Sequence, residues 1–314
     1  MKVLLFTHKS DIDGMGPVVL SLLAYKNVDY ILCETFNLEK EIDKYFLNNK
    51  IYEYDKILIT DLCPNKEYLS KLANDKLLNN KILIFDHHKT ALEYNEENYS
   101  FITLKISDDK GLCSGTSLFY DYLIENSLIP ETSNSISSFI ELTRRYDTWE
   151  WKTKYNDETA HKLSILFDAV GASGYIELMY QKLMDDTLNS FTFTNFEIML
   201  INNKLNQIEE KITNYANKLI VKELFGLKAG IVFIDYEYRN DLSEYLKNNN
   251  YDIDFAMLIA LDTLSISYRS IKDDVNVRII AEKLGGKGHD KAASSPIAND
   301  NITNILNILI KEEL

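Results

Sequence analysis

The sequence predicts an α/β protein: an N-terminal parallel sheet with covered faces, a smaller α/β domain after it, and a helical linker joining the two. Three observations lead there. Continuous apolar runs, Lys2–Thr7 (KVLLFT), Ile57–Thr60 (ILIT) and Lys81–Phe85 (KILIF), alternate with stretches of helical spacing, as strands buried on both faces do. A long polar stretch from Phe196 to about Lys222 repeats apolar residues at intervals of three and four, which makes one amphipathic helix. A fresh strand-like segment, Lys228–Asp235 (KAGIVFID), then opens a second region.

In chain order, KVLLFT reads as a buried strand that ends at a polar turn, His8–Gly14, and Pro17–Tyr25 has helical spacing. The helical-looking Lys66–Leu78 separates ILIT from KILIF. From Leu118 to about Asp186 the pattern is mostly helical and includes Ile136–Arg145, which leads into Tyr146-Asp147-Thr148-Trp149. Past the linker, Phe255–Asp262 and Leu264–Ile271 read as a hairpin, followed by a helix at Asn276–Leu284 and a glycine turn, Gly285-Gly286-Lys287-Gly288-His289. The expected boundaries are 1–190, 191–226 and 227–314.

A chain of 314 residues accommodates two domains of ordinary size. With 34 Lys+Arg against 48 Asp+Glu its net charge is −14, which argues against wrapping duplex DNA, where a basic face supplies most of the affinity. A short anionic substrate held through metal ions stays compatible with that charge. No apolar run approaches the ~20 residues of a membrane helix. Val3–Phe6 is too short for a signal-peptide core. Cys33, Cys63 and Cys113 are odd in number and lack metal-type spacing, so a reducing cytoplasm is the expected location.

The polar residues Asp11, Asp13, Asp61, Asp86, His87 and His88 all follow predicted strands directly, and ligands of parallel sheets collect at the carboxyl ends of strands. In His8-Lys-Ser-Asp11-Ile-Asp13-Gly14, an extended or turning chain points both carboxylates into one crevice. Two carboxylates so close repel each other unless a cation lies between them. Imidazole with carboxylate suits Mn²⁺ or Zn²⁺, whereas carboxylate and water alone suit Mg²⁺. The alternative is an acidic turn in which Gly14 supplies a permissive backbone. Asp61 is either a helix N-cap or a carboxylate bridging neighbouring strand ends. Asp86-His87-His88 is the sharper signal, because three polar groups at the end of a doubly buried strand demand a use. Adjacent residues of an extended chain point opposite ways, so the two imidazoles are expected to differ in role. Asp86 can fix the tautomer of a neighbouring ring.

Of the remaining features, His161 lies in a helical stretch and reads as an ordinary packed histidine. Ser114-Gly115-Thr116-Ser117 fits a helix N-terminus that either receives a phosphate or is capped by Ser114. Tyr146, Trp149 and Trp151 flank Asp147; they can stack on bases, but packing beneath the site is the expected use.

Taken in order, His8…Asp11-x-Asp13-Gly, Asp61, Asp86-His87-His88 and Arg145-Tyr-Asp147 resemble the DHH phosphoesterase superfamily. Arg269-Ser270 and Gly-Gly-Lys-Gly-His289 followed by Ala292-Ala293 are similar to the glycine-rich signature of the C-terminal domain commonly attached to it, with Lys287 in place of the third glycine. The resemblance spans nearly the whole chain and is strongest to the small oligoribonuclease (nano-RNase) and phosphoadenosine-phosphate phosphatase group. It implies two divalent ions, Mn²⁺ before Mg²⁺. One would be held by His8, Asp11 and Asp61, the other by Asp13, Asp61, His87 and Asp147. It further implies that His88 faces the scissile phosphate and that Asp86 orients a histidine. In the second domain, Arg269, Ser270 and His289 would hold the far end of the substrate. Gly285, Gly286 and Gly288 would either form an anion-binding nest or simply cap a helix.

The expected activity is hydrolysis of short oligoribonucleotides or linear dinucleotides to mononucleotides by a two-metal activated hydroxide. The alternatives are a 3′-phosphoadenosine 5′-phosphate phosphatase, a cyclic-nucleotide phosphodiesterase, and a non-catalytic nucleotide sensor. Neither duplex DNA nor a membrane is an expected partner, and a homodimer is among the expected states because small members of the family often pair.

Overall fold

The computed structural model describes residues 1–297 except 48, 79, 95–98, 131–133 and 185–189. It divides into two compact units, Met1–Lys204 and Leu205–Leu314. In the first, strands β1 (Lys2–His8), β2 (Asn27–Cys33), β3 (Lys56–Thr60), β4 (Ile82–Asp86) and β5 (Ile102–Leu104) form an all-parallel sheet in the order β2-β1-β3-β4-β5. The helices of this unit are α1 (Ile12–Ala24), α2 (Leu38–Phe46), α3 (Lys66–Asn74), α4 (Lys89–Tyr94), α5 (Gly115–Glu125), α6 (Asn134–Asp147) and α7 (Glu158–Leu183). Helix α8 (Asn195–Asn217) contains the division between the units.

The continuous apolar runs become strands because each has partners on both faces. Leu4, Phe6, Ile57, Ile59, Ile82 and Ile84 pack with Leu38 and Ile42 of α2 and Leu69 and Leu72 of α3. On the opposite face α1 lies against β1, and α5 lies against β3 and β4. The sheet order reverses between β1 and β3, and crevices of such sheets open at the carboxyl ends flanking that reversal. His8, Asp11 and Asp13 follow β1, and Asp61 follows β3.

Some elements differ from expectation for local reasons. The predicted polar turn His8–Gly14 is shorter, because α1 begins at Ile12 with Asp11 as its N-cap, accepting from the Gly14 N–H at 2.9 Å. Strand β2 carried no continuous apolar run, since its position at the sheet edge leaves most of its side chains at least partly exposed. The long helix predicted from Phe196 to about Lys222 stops at Asn217, and Ile220–Leu224 forms strand β6 instead. The end of the helical stretch predicted up to Asp186, residues 185–186, lies outside the described residues.

A buried ion network sets the end of α6. The Arg144 side chain is 5% exposed and donates to Glu150 at 2.6 Å, to Glu141 at 2.8 Å and to the Leu112 carbonyl at 2.7 Å. Burial, the largest single influence, would raise the Glu141 and Glu150 carboxyls, but the combined hydrogen bonds and charges of Arg144 and Arg145 at Glu141, and of Arg144 and Lys154 at Glu150, outweigh it and hold both below the ordinary glutamate range. Groups depressed by folding stabilise above their unfolded pKa and lose that contribution as pH falls through the folded value. We therefore expect stability to drop progressively below about pH 4.5. Glu150→Gln should flatten that acid limb and cost about 2 kcal/mol at neutral pH, read from urea denaturation at several pH values.

The second unit contains β6, β7 (Leu227–Ile234), α9 (Arg239–Asn248), β8 (Phe255–Ala260), β9 (Ser265–Ser270), α10 (Val277–Lys283), β10 (Lys287–Gly288) and β11 (Ala292–Pro296). Its mixed sheet has the order β10-β11-β9-β8-β7-β6, with β7 and β8 parallel and the other pairs antiparallel. Leu242 and Leu246 of α9 and Ile212 of α8 cover one set of strand residues, and Val277, Ile280 and Ala281 of α10 cover another. The predicted hairpin is the β8–β9 pair.

Candidate metal centre

Strand ends and helix starts bring the acidic motifs of the first unit together. Asp61 follows β3 with a left-handed backbone (φ 57°) and is almost fully buried, at 3% exposure. Its two carboxylate oxygens face different histidines. Oδ1 lies 3.2 Å from Nε2 of His87, and Oδ2 lies 3.7 Å from Nδ1 of His8. Around His8, the donor atoms of His8, Asp11 and Asp61 lie within 4.8 Å of one another, and so do those of Asp13, His87 and Asp147 around His87. His87 Nε2 is 3.7 Å from Asp13 Oδ2 and 3.4 Å from Asp147 Oδ2, so one imidazole nitrogen meets three carboxylates. The first group has the members that the resemblance implied for one ion and the second has three of the four implied for the other, while a further group, Asp61, Asp86, His87 and His88, overlaps both.

Asp13 is held by main chain. It is fully buried on the first turn of α1, and its carboxylate accepts from the N–H groups of Gly115 (2.7 Å) and Thr116 (3.0 Å) at the start of α5. The Ser114–Ser117 segment thus presents its amides to a carboxylate of this chain, with Ser114 capping the helix. Asp147 is the last residue of α6, and its Oδ2 is buried with no hydrogen-bond partner among the described residues.

The electrostatics match a cation site. Burial first, then the charges of Asp13 and Asp11, push both Asp61 and Asp147 well above the usual carboxylate range. Burial lowers the His87 imidazole, so its nitrogen favours the neutral form that can ligate. Buried acids crowded in this way need positive charge to stay ionised. An orphaned carboxylate oxygen facing an imidazole nitrogen supplies the same indication. The donor set, imidazole mixed with carboxylate, fits divalent first-row ions.

Asp86 ends β4 and is buried; its Oδ1 accepts from the backbone N–H groups of His87 (2.8 Å) and His88 (3.2 Å) and meets His88 Nδ1 at 2.8 Å. This hydrogen bond, ahead of the opposing effect of burial, raises the His88 imidazole above its ordinary value. The His88 side chain is 52% exposed. The expectation that the adjacent rings point opposite ways is corrected. Their centroids are 4.3 Å apart, because the strand ends at Asp86 and the chain is no longer extended there. Their nearest partners differ, Asp61 Oδ1 at 3.2 Å for His87 and Asp86 Oδ1 at 2.8 Å for His88, although Asp61 Oδ1 also lies 3.9 Å from His88 Nδ1. His161 stacks on Trp151 (4.7 Å between centroids) outside these clusters, with Tyr146 beyond.

Sequence reasoning passed over Glu34. It follows β2, and its Oε2 lies 3.2 Å from His8 Nε2. The signal available was an acid directly after a strand, as at Asp61, but the polar edge strand before it concealed the pattern.

In the second unit, Arg269 and Ser270 end β9, and register sets Arg269 opposite Ala292, which closes a tight turn with His289. Arg269 donates to Asn240 Oδ1 at 3.1 Å and to the Tyr268 carbonyl at 3.1 Å. The amide nest is corrected at two of its members. The N–H groups of Gly285 and Gly286 donate to the carbonyls of Glu282 (3.2 Å) and Ala281 (2.8 Å), the C-cap alternative. Gly286 is also required sterically, since a Cβ there would lie 2.1 Å from the Ser294 carbonyl oxygen.

No protein-family model matches the chain. The oligoribonuclease NrnB of Bacillus subtilis (strain 168) is 32% identical over 299 residues, spanning 94% of this chain and 73% of NrnB. A solved DHH domain, described as a member of the s1p family of ribosomal proteins, has a TM-score of 0.57 at 15% identity, covering 99% of this chain and 86% of that one. RecJ from Thermus thermophilus, solved with Mg²⁺, gives 0.50 at 12% identity over 97% of this chain and 48% of RecJ. The two structures share the fold and the NrnB relationship carries the lineage: the chain belongs to the DHH phosphoesterase superfamily, in the oligoribonuclease branch that includes NrnB.

Proposed function

We propose that this protein is a divalent-metal-dependent phosphodiesterase that hydrolyses short oligoribonucleotides or linear dinucleotides to mononucleotides. The observation that carries the reading is Asp61, whose two oxygens serve two separate His–Asp clusters. His8, Asp11 and Asp61 would hold one ion, and Asp13, Asp61, His87 and Asp147 the other. Mn²⁺ suits this mixture of imidazole and carboxylate better than Mg²⁺. Bound ions would supply Lewis-acid polarisation of a phosphoryl oxygen and a water pKa lowered to about 7.

The protein's own side chains position the reaction. Main-chain amides fix Asp13. Asp86 accepts the Nδ1–H of His88 and raises the imidazole above its ordinary value, which favours the doubly protonated ring whose Nε2–H would donate to a phosphate oxygen. Arg269, Ser270 and His289 supply the substrate-binding groups of the second unit, with Arg269 suited to bidentate contact with a phosphate. Gly285, Gly286 and Gly288 shape the loop that presents His289.

The test is a panel of end-labelled two- to ten-mers, RNA and DNA, incubated with Mn²⁺ or Mg²⁺ and resolved by product length, alongside 3′-phosphoadenosine 5′-phosphate. We expect the shortest RNAs to be converted to mononucleotides, faster with Mn²⁺. Full turnover after exhaustive chelation would refute the reading, and preferential turnover of 3′-phosphoadenosine 5′-phosphate would reassign the substrate.

A further inference from the structure

We propose that Glu34 is a positioning residue: it accepts the Nε2–H of His8 and so turns the opposite ring nitrogen, Nδ1, toward Asp11 and Asp61. This rests on the two-ion reading above. The parallel register sets His8 opposite Cys33, and the Lys9 N–H donates to the Cys33 carbonyl at 2.9 Å, so the residue after β2 is brought beside the His8 ring. There Glu34 Oε2 lies 3.2 Å from His8 Nε2. The carboxylate is itself held: Oε1 accepts from Ser10 Oγ at 2.6 Å and lies 3.5 Å from Lys9 Nζ. Its backbone N–H donates to Asn37 Oδ1 at 2.8 Å, fixing the turn that leaves the strand.

The assignment follows from the chemistry of imidazole. A neutral ring carries one N–H, and only the bare nitrogen can ligate a cation. Nδ1 stands 2.7 Å from Asp11 Oδ2 and 3.7 Å from Asp61 Oδ2, among the donor atoms. Nε2 faces Glu34, which belongs to neither cluster. With Nδ1 given to a cation among these donors, the ring's proton would sit on Nε2, where the Glu34 carboxylate at 3.2 Å would hold it. Carboxylates in this outer position orient metal-binding histidines, and their removal weakens metal affinity by about 10- to 100-fold. The Glu34 side chain is 22% exposed, so its truncation opens no sealed cavity.

The experiment is calorimetric titration of chelator-stripped full-length protein with Mn²⁺ for wild type, Glu34→Ala and Glu34→Gln, each checked by thermal melting. In Glu34→Ala one of the two binding events should weaken by about 10- to 100-fold, with the other unchanged. Glu34→Gln retains a carbonyl acceptor for Nε2–H and should stay within about threefold of wild type. Wild-type affinity at both sites in Glu34→Ala would overturn the assignment, as would equal losses in the two variants. Wild-type protein that binds no Mn²⁺ would instead overturn the two-ion reading itself.

Discussion

Asp61→Asn should abolish turnover and, at the same time, raise the melting temperature of chelator-stripped protein. Asparagine is the informative replacement because Asp61 has φ 57°, a conformation that asparagine tolerates and most other residues resist. The variant therefore keeps the backbone and the shape while removing one buried charge. In the proposed mechanism that charge is shared between two ions, so its loss should lower kcat by on the order of 10³-fold or more. Without metal the same carboxylate is a liability, because burial and the neighbouring Asp13, Asp11 and Asp147 oppose its ionisation. Removing it should relieve that repulsion. A gain of 1 kcal/mol would appear as about 2–4 °C in a unit of this size. Adding Mn²⁺ should then stabilise wild type by mass action and the variant far less. Scanning calorimetry with and without Mn²⁺, together with turnover of a labelled dinucleotide, reads both effects. A variant that stays active, or that melts lower when stripped, would contradict the cation-bridge account.

Gly14→Ala should damage stability and activity together. A Cβ at this position would lie 1.9 Å from the His8 carbonyl oxygen and 2.5 Å from its carbon. Neither atom belongs to a flexible side chain, so α1 would have to move away from β1. The backbone there is tied on both sides, by Thr7 Oγ1 donating to the Gly14 carbonyl at 2.8 Å and by the Gly14 N–H on Asp11 at 2.9 Å. Overpacking of this kind costs about 1–3 kcal/mol or more, against roughly 1 kcal/mol gained from the helix preference of alanine. We expect a net loss of about 2 kcal/mol and a melting temperature lower by about 4–8 °C. Movement of α1 carries Asp13 with it, and a displacement near 1 Å costs about 10²-fold in rate. Unaltered melting with unaltered kcat/KM would show that the helix start accommodates the methyl group.

Local sequence exposed the parts of the fold in which one short segment decides its own environment. KVLLFT, ILIT and KILIF are apolar on both faces, so they belong inside a covered sheet, and the charged residues directly beyond them mark the rim. The hairpin of β8 and β9 was legible as two adjacent strand-like segments, Phe255–Asp262 and Leu264–Ile271. Strand β2 was hidden because an edge strand need not bury its alternate residues, and with it went Glu34. Asp13 illustrates the other kind of gap. Its motif was visible, but its partners are amides 102 and 103 residues away, a pairing that only the folded chain defines. The glycine loop was left open between two readings for a related reason: spacing is the same for an anion nest and a helix C-cap, and the choice depends on which carbonyls those amides find.

The way Asp13 is secured bears on how the chain tolerates substitution. Its two donors are peptide groups, and every residue type except proline retains an N–H at positions 115 and 116. The latitude this gives is unequal: a new side chain at position 116 leaves the amide donor in place, whereas at Gly115 any Cβ would lie 2.7–2.9 Å from Asp61 Cβ, Cα and N, so only glycine keeps both the grip on Asp13 and the placement of Asp61.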